Sequence, residues 1–302
     1  MSYKDQVALL IKVLPETLDN NGFCLKGGTA INLFYRDMPR YSVDIDLSPS
    51  FIDERQKTID HIDKEFHAIS LRVQEKYSEI HGSIKKNKDG YAKQILFSEK
   101  GAEIKVEVNT ILRGYFNSPQ ILELCNGASN EFNSDASVNC ASFEDTYAGK
   151  ICAGLDRQHP RDLFDIKLLL ENEGYSHQLH KAFLLYLISG NRPISEMIEP
   201  NRINIGMIYK RQFEGMSFID VHLDDLHTAR EAIIKKTKSQ LSDQEREFLI
   251  SLKKGEPDWP LSGITNIEKF PSVQWKLINI RKMTKERRQK AVNELFRKLN
   301  MI

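Results

Sequence analysis

Two aspartates separated by one residue are the strongest chemical signal in the sequence. Asp44 and Asp46 lie in residues 41–48, where apolar and polar residues alternate with period two. In a β-strand this alternation places both carboxylates on one face and the apolar side chains on the other. Like charges on one strand face repel each other unless solvent or a cation relieves them. The pattern therefore indicates a strand that binds a cation.

A third acid lies in a second alternating segment. In residues 103–109, Glu103, Lys105 and Glu107 share one face. If this strand neighbours the first, Glu107 adds a third oxygen ligand. Mg²⁺ prefers a few carboxylates together with phosphate oxygens and water, so the expected occupant is Mg²⁺ bound with a nucleoside triphosphate (NTP). A pair of such ions lowers the pKa of an attacking hydroxyl and stabilises departing pyrophosphate.

A glycine turn supplies the second part of the expected site. Gly27 and Gly28 follow a short strand-like run at 23–25 and precede a predicted helix at 30–35. Glycine allows a ligand to approach the backbone closely, and the start of a helix directs its free N–H groups at a phosphate. The hydroxyl of Thr29 adds to this cradle. A Gly-Gly turn by itself is usually only a turn. It is the combination of this turn with the acidic strands that indicates a binding site for a triphosphate and its metal.

The elements that position these residues divide the chain into two regions. Helical spacing at 4–19 and 52–79, with strands at 91–97 and 103–109 joined by a hairpin turn at 98–101, predicts a mixed sheet covered by helices. Strand signals fade beyond residue 142. The later segments with helical character are 144–155, 163–173, 180–189, 223–234, 242–253 and 273–299. The predicted class is α+β, with a sheet domain at 1–142 and a helical bundle at 143–302.

Composition excludes several classes of protein. Of 302 residues, 40% are hydrophobic and 28% are charged, which excludes a disordered tail, a collagen-like rod and a disulfide-rich miniprotein. The four cysteines are scattered without a C-x-x-C pair, so neither disulfides nor structural zinc is expected. No signal peptide and no apolar run of membrane-spanning length is present, which predicts a cytoplasmic protein without membrane association.

The formal net charge of +1 conceals a basic C-terminal region. Lysine and arginine dominate from residue 276 onwards, and such residues bind the RNA backbone through its phosphates. A solvated helix face over an apolar stripe is the alternative interpretation. The candidates for RNA binding are Arg281, Lys282, Arg287 and Arg288.

Taken in order, these motifs resemble the nucleotidyltransferases of the AbiEii/AbiGii toxin type, within the DNA polymerase beta-like nucleotidyltransferase superfamily. The resemblance spans roughly residues 22–172. Glu107 departs from the aspartate of many superfamily members, which lengthens this ligand by one methylene. The matching positions are Gly27-Gly28-Thr29, Arg40 and Ser42 before Asp44-Ile45-Asp46, Lys105-Val106-Glu107, the segment 147–153 with Lys150, and the segment 157–165 with Asp162 and Asp165.

The resemblance implies a specific reaction and a role for each motif. An Mg²⁺-dependent enzyme transfers a nucleoside monophosphate from an NTP to an acceptor hydroxyl, for which a tRNA 3′ end is a candidate. Asp44, Asp46 and Glu107 hold the metal, Lys150 contacts the phosphates, and Asp162 places the nucleotide or acceptor. The remaining nucleotide-binding candidates are Gly27, Gly28, Thr29, Arg40, Ser42, Lys105 and Asp165. The resemblance further implies a toxin of a toxin–antitoxin or phage-defence pair, with a separate antitoxin as partner.

Three alternatives stay open from the sequence. An aspartate followed by Glu103-Ile104-Lys105 is also the arrangement of a metal-dependent nuclease, although a nuclease does not require the glycine turn. A nucleotide- or RNA-binding module whose chemistry has lapsed is the second alternative. The third concerns only Lys150, Asp162 and Asp165, which without the motif are an exposed helix residue and a surface charge cluster with helix-capping roles.

Overall fold

The computed structural model describes residues 2–300, and its contacts divide the chain into two compact units. The first comprises the residues up to Thr146 together with Gly215–Asp220, and the second comprises Tyr147–Glu214 and the residues from Val221 onwards. The sequence places the boundary at 142. The return of Gly215–Asp220 to the first unit has no signal in the sequence pattern.

The first unit is built on a mixed seven-stranded sheet within residues 2–300. The strand order is β3-β4-β5-β2-β1-β7-β6. β2 pairs with β5 and β1 with β7 in parallel, whereas the other neighbours are antiparallel. The strands are β1 (Phe23–Lys26), β2 (Asp44–Pro49), β3 (His81–Lys86), β4 (Ala92–Glu99), β5 (Ala102–Val108), β6 (Gln120–Glu123) and β7 (Ser137–Cys140).

The helices of this unit bury one face of the sheet. They are α1 (Tyr3–Thr17), α2 (Gly27–Ala30) with a π-helical turn (Ile31–Tyr35) as its continuation, α3 (Arg55–Lys76) and α4 (Asn126–Phe132). α1 and α3 contact the sheet, and their apolar stripes share one core with Ile45 and Leu47 of β2. Because burial of this apolar surface is the main driving force, it determines which side of β2 faces inward. Asp44 and Asp46 are therefore directed to the opposite side.

Several elements differ from the sequence-based expectation. β3, β6 and β7 were not predicted, because β3 is largely exposed and contains few apolar residues, and β6 and β7 have four residues each. The strand predicted at 41–48 begins at Asp44. The turn between β4 and β5 is made by Lys100 and Gly101, both with positive φ, as in a tight hairpin.

Up to residue 300, the second unit consists of helices, loops and two short 3₁₀ turns. The predicted helix at 273–299 is two helices, because Thr284 accepts a hydrogen bond from the Arg287 amide and starts a new helix. Within residues 2–300, no helix has both the length and the hydropathy needed to cross a membrane. The helices are α5 (Phe143–Arg157), which begins in the first unit, α6 (Pro160–Asn172), α7 (His177–Ser189), α8 (Ile194–Ile198), α9 (Gly206–Gln212), α10 (Leu223–Ser239), α11 (Asp243–Lys254), α12 (Pro271–Arg281) and α13 (Lys285–Lys298). A mixed sheet followed by a helical region is thus confirmed.

Candidate active site

The predicted acids of the two alternating segments lie on adjacent parallel strands. The register pairs Asp44 with Lys105 and Asp46 with Glu107. Residues paired in this way project from the same side of the sheet. We call these four residues the acidic face. Asp44, Lys105 and Glu107 each have about a third of the side chain exposed, at 35%, 35% and 37%, so solvent and ligands reach them.

Lys105 partly neutralises the acidic face. Its Nζ lies 3.3 Å from Glu107 Oε2 and 3.8 Å from Asp44 Oδ1. Partial burial on its own would lower the pKa of Lys105, but the carboxylates of Asp44, Glu107 and Asp46 outweigh burial and raise it. Lys105 is therefore a cation held among the three acids. Lys26 adds a further cation beside them, since its strand position pairs with Asp46.

The glycine turn lies directly against the acidic face. Gly27 has φ +72°, a conformation that favours glycine, and a Cβ at this position would lie 2.6 Å from Asp46 Oδ2. A side chain here would displace that carboxylate. Gly27 therefore provides both the turn and the space that Asp46 occupies, and the close approach of a ligand to this turn stays a prediction.

The hydroxyl of Thr29 is used within the protein. Thr29 is fully buried, and its Oγ1 donates to the Asp44 carbonyl at 2.5 Å and lies 3.0 Å from Ser42 Oγ. This pairing differs from the expected phosphate contact, because the hydroxyl instead joins the glycine turn to the start of β2. Thr29 and Ser42 thus hold the turn and β2 in register.

Arg40 is also buried beneath the turn. It is 2% exposed, donates from Nη1 to the Tyr41 carbonyl at 2.7 Å, and its Nη2 lies where a Gly28 Cβ would meet it at 2.9 Å. Only glycine at position 28 leaves room for this guanidinium. The geometry gives Arg40 a role in shaping the turn, one of the two roles that the sequence left open for it, and a nucleotide contact stays a prediction.

The donor set of the acidic face fits a divalent cation. Within residues 2–300, no three His, Cys, Asp or Glu side chains are already arranged to hold a metal ion. However, three carboxylates share one face, and the Lys105 ammonium lies between two of them as a bound cation would. Oxygen donors of this kind suit Mg²⁺. A metal at this position requires Lys105 to give up its contacts with Asp44 and Glu107.

Residues 216–218, from the second half of the chain, pair with the segment that precedes β2. The Tyr41 amide donates to the Met216 carbonyl at 2.9 Å, and the Phe218 amide donates to the Pro39 carbonyl at 3.0 Å. The Tyr41 and Phe218 rings also contact each other edge to face, with 4.7 Å between centroids. Sequence reasoning missed this segment, since pairing across so many residues leaves no local pattern.

In the second unit, Lys150 joins α5 to α6 through two buried carboxylates. Its Nζ lies 2.9 Å from Asp162 Oδ1 and 3.1 Å from Asp165 Oδ2, and these three side chains are at most 6% exposed. Arg157 donates two further hydrogen bonds to Asp162, at 2.6 and 3.0 Å. Burial on its own would raise the pKa of Asp162, but Lys150 and Arg157 hold it well below its usual range. The segments 147–153 and 157–165 therefore meet as a buried ion-pair cluster.

The basic residues of the C-terminal region lie around the end of a helix. Arg281 Nε donates to the Gly255 carbonyl at 2.9 Å, and Arg288 Nη1 also lies beside Gly255. Cations near the C-terminus of a helix are favoured by its dipole. Lys282 and Arg287 are exposed. These contacts give Arg281 a structural role, while RNA binding by the exposed members stays a prediction.

The sequence matches a known family, and the fold matches a known protein. The AbiEii family, described as a nucleotidyl transferase toxin of a type IV toxin–antitoxin system, matches residues 8–279. No curated protein matches the sequence significantly. Among solved structures, MenT4, a nucleotidyltransferase toxin from Mycobacterium tuberculosis H37Rv, has a similar fold, with a TM-score of 0.57 and 13% identity over 93% of this chain and 95% of that chain. Since the family match spans most of the sequence, this protein belongs to the AbiEii toxin family and is a nucleotidyltransferase.

Proposed function

We propose that the protein transfers a nucleoside monophosphate from an NTP to an acceptor hydroxyl, with Mg²⁺ as its cofactor. The observation that carries this proposal is the acidic face, on which Asp44, Asp46 and Glu107 lie together and Asp46 packs against the open Cα of Gly27. Three carboxylates beside a glycine turn suit a triphosphate that arrives with its metal.

In this proposal, the residues of the acidic face bind the metal and move one proton. Asp44, Asp46 and Glu107 hold Mg²⁺, whose chemistry when bound is to neutralise the triphosphate and lower the pKa of the attacking hydroxyl. Glu107 accepts the proton of that hydroxyl. The acceptor oxygen forms a bond to the α-phosphorus, the bond to the β-phosphate oxygen breaks, and pyrophosphate leaves with the electron pair. Lys105 supplies a compact positive charge to the phosphates.

The residues around the glycine turn position the reacting groups. The backbone N–H groups of the Gly27-Gly28 turn bind the triphosphate, while the space left by their missing side chains holds Asp46 and Arg40. Thr29 and Ser42 hold the turn against β2 from beneath. We also propose a supporting role for the buried cluster of the second unit. A phosphate contact through Lys150 would break two buried ion pairs, so Lys150, Asp162 and Asp165 orient α5 and α6.

The acceptor and the biological role belong to the same proposal. We propose RNA as the acceptor, with a tRNA 3′ end as the first candidate, and the exposed basic residues Lys282 and Arg287 as contacts for its backbone. The family description supports a toxin that acts together with a cognate antitoxin, and a role in phage defence is part of this proposal.

The proposal is tested by the mass of RNA after incubation with each NTP and Mg²⁺. Total RNA and tRNA are incubated with wild type, Asp44→Asn, Asp46→Asn and the control Asp89→Asn, which changes an exposed turn residue. We expect a nucleotide-sized mass gain with wild type and the control, and none with the two acidic-face variants. Shortened RNA without any NTP would instead indicate a nuclease. Full activity in both acidic-face variants would refute the assignment.

A further inference from the structure

The longest helix of the first unit begins with an unusual distribution of charge. α3 has 22 residues, and Glu54 at its N-cap provides no side-chain cap. The first N–H groups of a helix lack intrahelical partners and carry the positive end of its dipole, so acids are favoured there. The first turn of α3 contains no acid and instead carries Arg55 and Lys57. This turn is therefore suited to a bound anion.

A buried arginine lies on the same turn with part of its guanidinium unused. Arg113 is 7% exposed, and its Nη1 donates to the Asp53 carbonyl at 2.7 Å and to Thr58 Oγ1 at 3.1 Å. Its Nε is buried and has no hydrogen-bond partner in residues 2–300. A buried donor without an acceptor is costly, and the Nε edge of a guanidinium is one that binds oxyanions in bidentate fashion. This edge indicates a ligand with two acceptor oxygens.

The charges around Arg113 also favour a bound anion. Burial, and secondly the nearby Arg55 guanidinium, lower the pKa of Arg113, whereas Asp53 acts in the opposite sense. Asp53 and Glu54 only partly offset the cations, since both are exposed and both lie at about the limit of ion pairing with Lys57, at 3.9 and 4.0 Å. Arg113 and Arg55 thus lie near each other at the positive end of a helix, and Lys57 belongs to the same turn.

From these observations we infer that Arg113, Arg55 and the first turn of α3 form a binding site for a phosphoryl oxyanion. The site is separate from the acidic face and goes beyond the proposed reaction. The Gly114 amide donates to the Pro49 carbonyl at the far end of β2, and Pro49 is about 10 Å along the strand from Asp46 at ~3.3 Å per residue. A phosphodiester of a bound polynucleotide and free phosphate both offer the required oxygens.

The test follows the arginine Nε–H signals of the full chain by NMR while inorganic phosphate is added at constant ionic strength. Arg113→Lys identifies the Arg113 signal. We expect this signal to shift saturably in wild type. In Arg55→Gln, an exposed change that leaves the core intact, phosphate affinity should fall about tenfold, which corresponds to ~1.4 kcal/mol. The matched control Lys64→Gln removes one exposed charge from the middle of α3 and should change affinity less than twofold.

A second arm distinguishes the two sources of the oxyanion. A short oligoribonucleotide without terminal phosphates displaces inorganic phosphate if the site binds a phosphodiester, and leaves it bound if the site is specific for free phosphate. Three results would overturn the inference: no saturable shift of the Arg113 signal, equal losses of affinity in Arg55→Gln and Lys64→Gln, or phosphate affinity in folded Arg113→Lys equal to that of wild type.

Discussion

Replacing Asp162 by asparagine is expected to destabilise the second unit by about 3 kcal/mol, because one partner of a buried ion pair is then missing. Asp162 is almost completely buried and accepts from Lys150 and from two nitrogens of Arg157. The neutral amide leaves Lys150 with only Asp165 as its counter-charge. This estimate takes the lower end of the usual range, since that second carboxylate remains at 3.1 Å.

The effect must also depend on pH in a defined direction. The folded-state pKa of Asp162 lies well below its usual range, and the unfolded value is about 3.9. The carboxylate therefore contributes its full stabilisation above pH ~4 and loses it as the pH falls through the folded-state pKa. The difference in unfolding free energy between wild type and Asp162→Asn should be largest near neutral pH and shrink below pH ~4.

The assay is urea unfolding followed by tryptophan fluorescence. Both tryptophans of the chain, Trp259 and Trp275, belong to the second unit, so this signal reports on that unit. Glu171→Gln is the matched control, because Glu171 forms an exposed pair with Lys167 on the same helix as Asp162, and such pairs contribute only ~0.5 kcal/mol. Equal losses in the two variants, or a difference that does not change with pH, would refute the reasoning.

Three further results are expected. Gly27→Ala should abolish nucleotidyl transfer, because its methyl group would meet the Asp46 carboxylate at 2.6 Å. The control Gly90→Ala should remain active, since Gly90 also has positive φ but has open space around it. Equal activities of the two variants would contradict this reasoning. Thr29→Val should lower the unfolding free energy by ~1–3 kcal/mol, because the Asp44 carbonyl loses the Thr29 hydroxyl as its donor. Thr29→Ser keeps this hydroxyl and should retain stability and activity in the same assays. Because Lys282 and Arg287 are the proposed contacts for RNA phosphates, changing either to glutamine should reduce the slope of log affinity against log salt by about 0.7 for single-stranded RNA. An unchanged slope would indicate a solvated helix face.

The sequence predicts the acidic face because its signal is local. Alternation with period two determines which side of each strand the acids occupy, and the opposing apolar residues are buried against α1 and α3. Only the pairing of β2 with β5 had to be assumed. The glycine turn was also predictable, since positive φ and close approach both require glycine at position 27.

The remaining features depend on contacts between residues distant in the chain. No pattern in the sequence shows that Thr29 and Arg40 are buried, because their partners are chosen when the turn packs on β2. The same holds for Lys150, whose motif is local but whose ammonium is enclosed by α6. Arg113 belongs to no recognisable sequence motif. Only its packing against the start of α3 shows that its buried Nε lacks a hydrogen-bond acceptor.

Nucleotidyl transfer itself is tested most directly by the fate of the two ends of the triphosphate. Parallel reactions with α-labelled and γ-labelled NTP, each with Mg²⁺ and acceptor RNA, separate transfer of the nucleotidyl group from other uses of the triphosphate. We predict that label from the α-phosphate enters the RNA and that label from the γ-phosphate leaves as pyrophosphate, with both signals lost in Asp46→Asn. Entry of γ-label into RNA, or α-label transfer unaffected by Asp46→Asn, would contradict the role assigned to the acidic face.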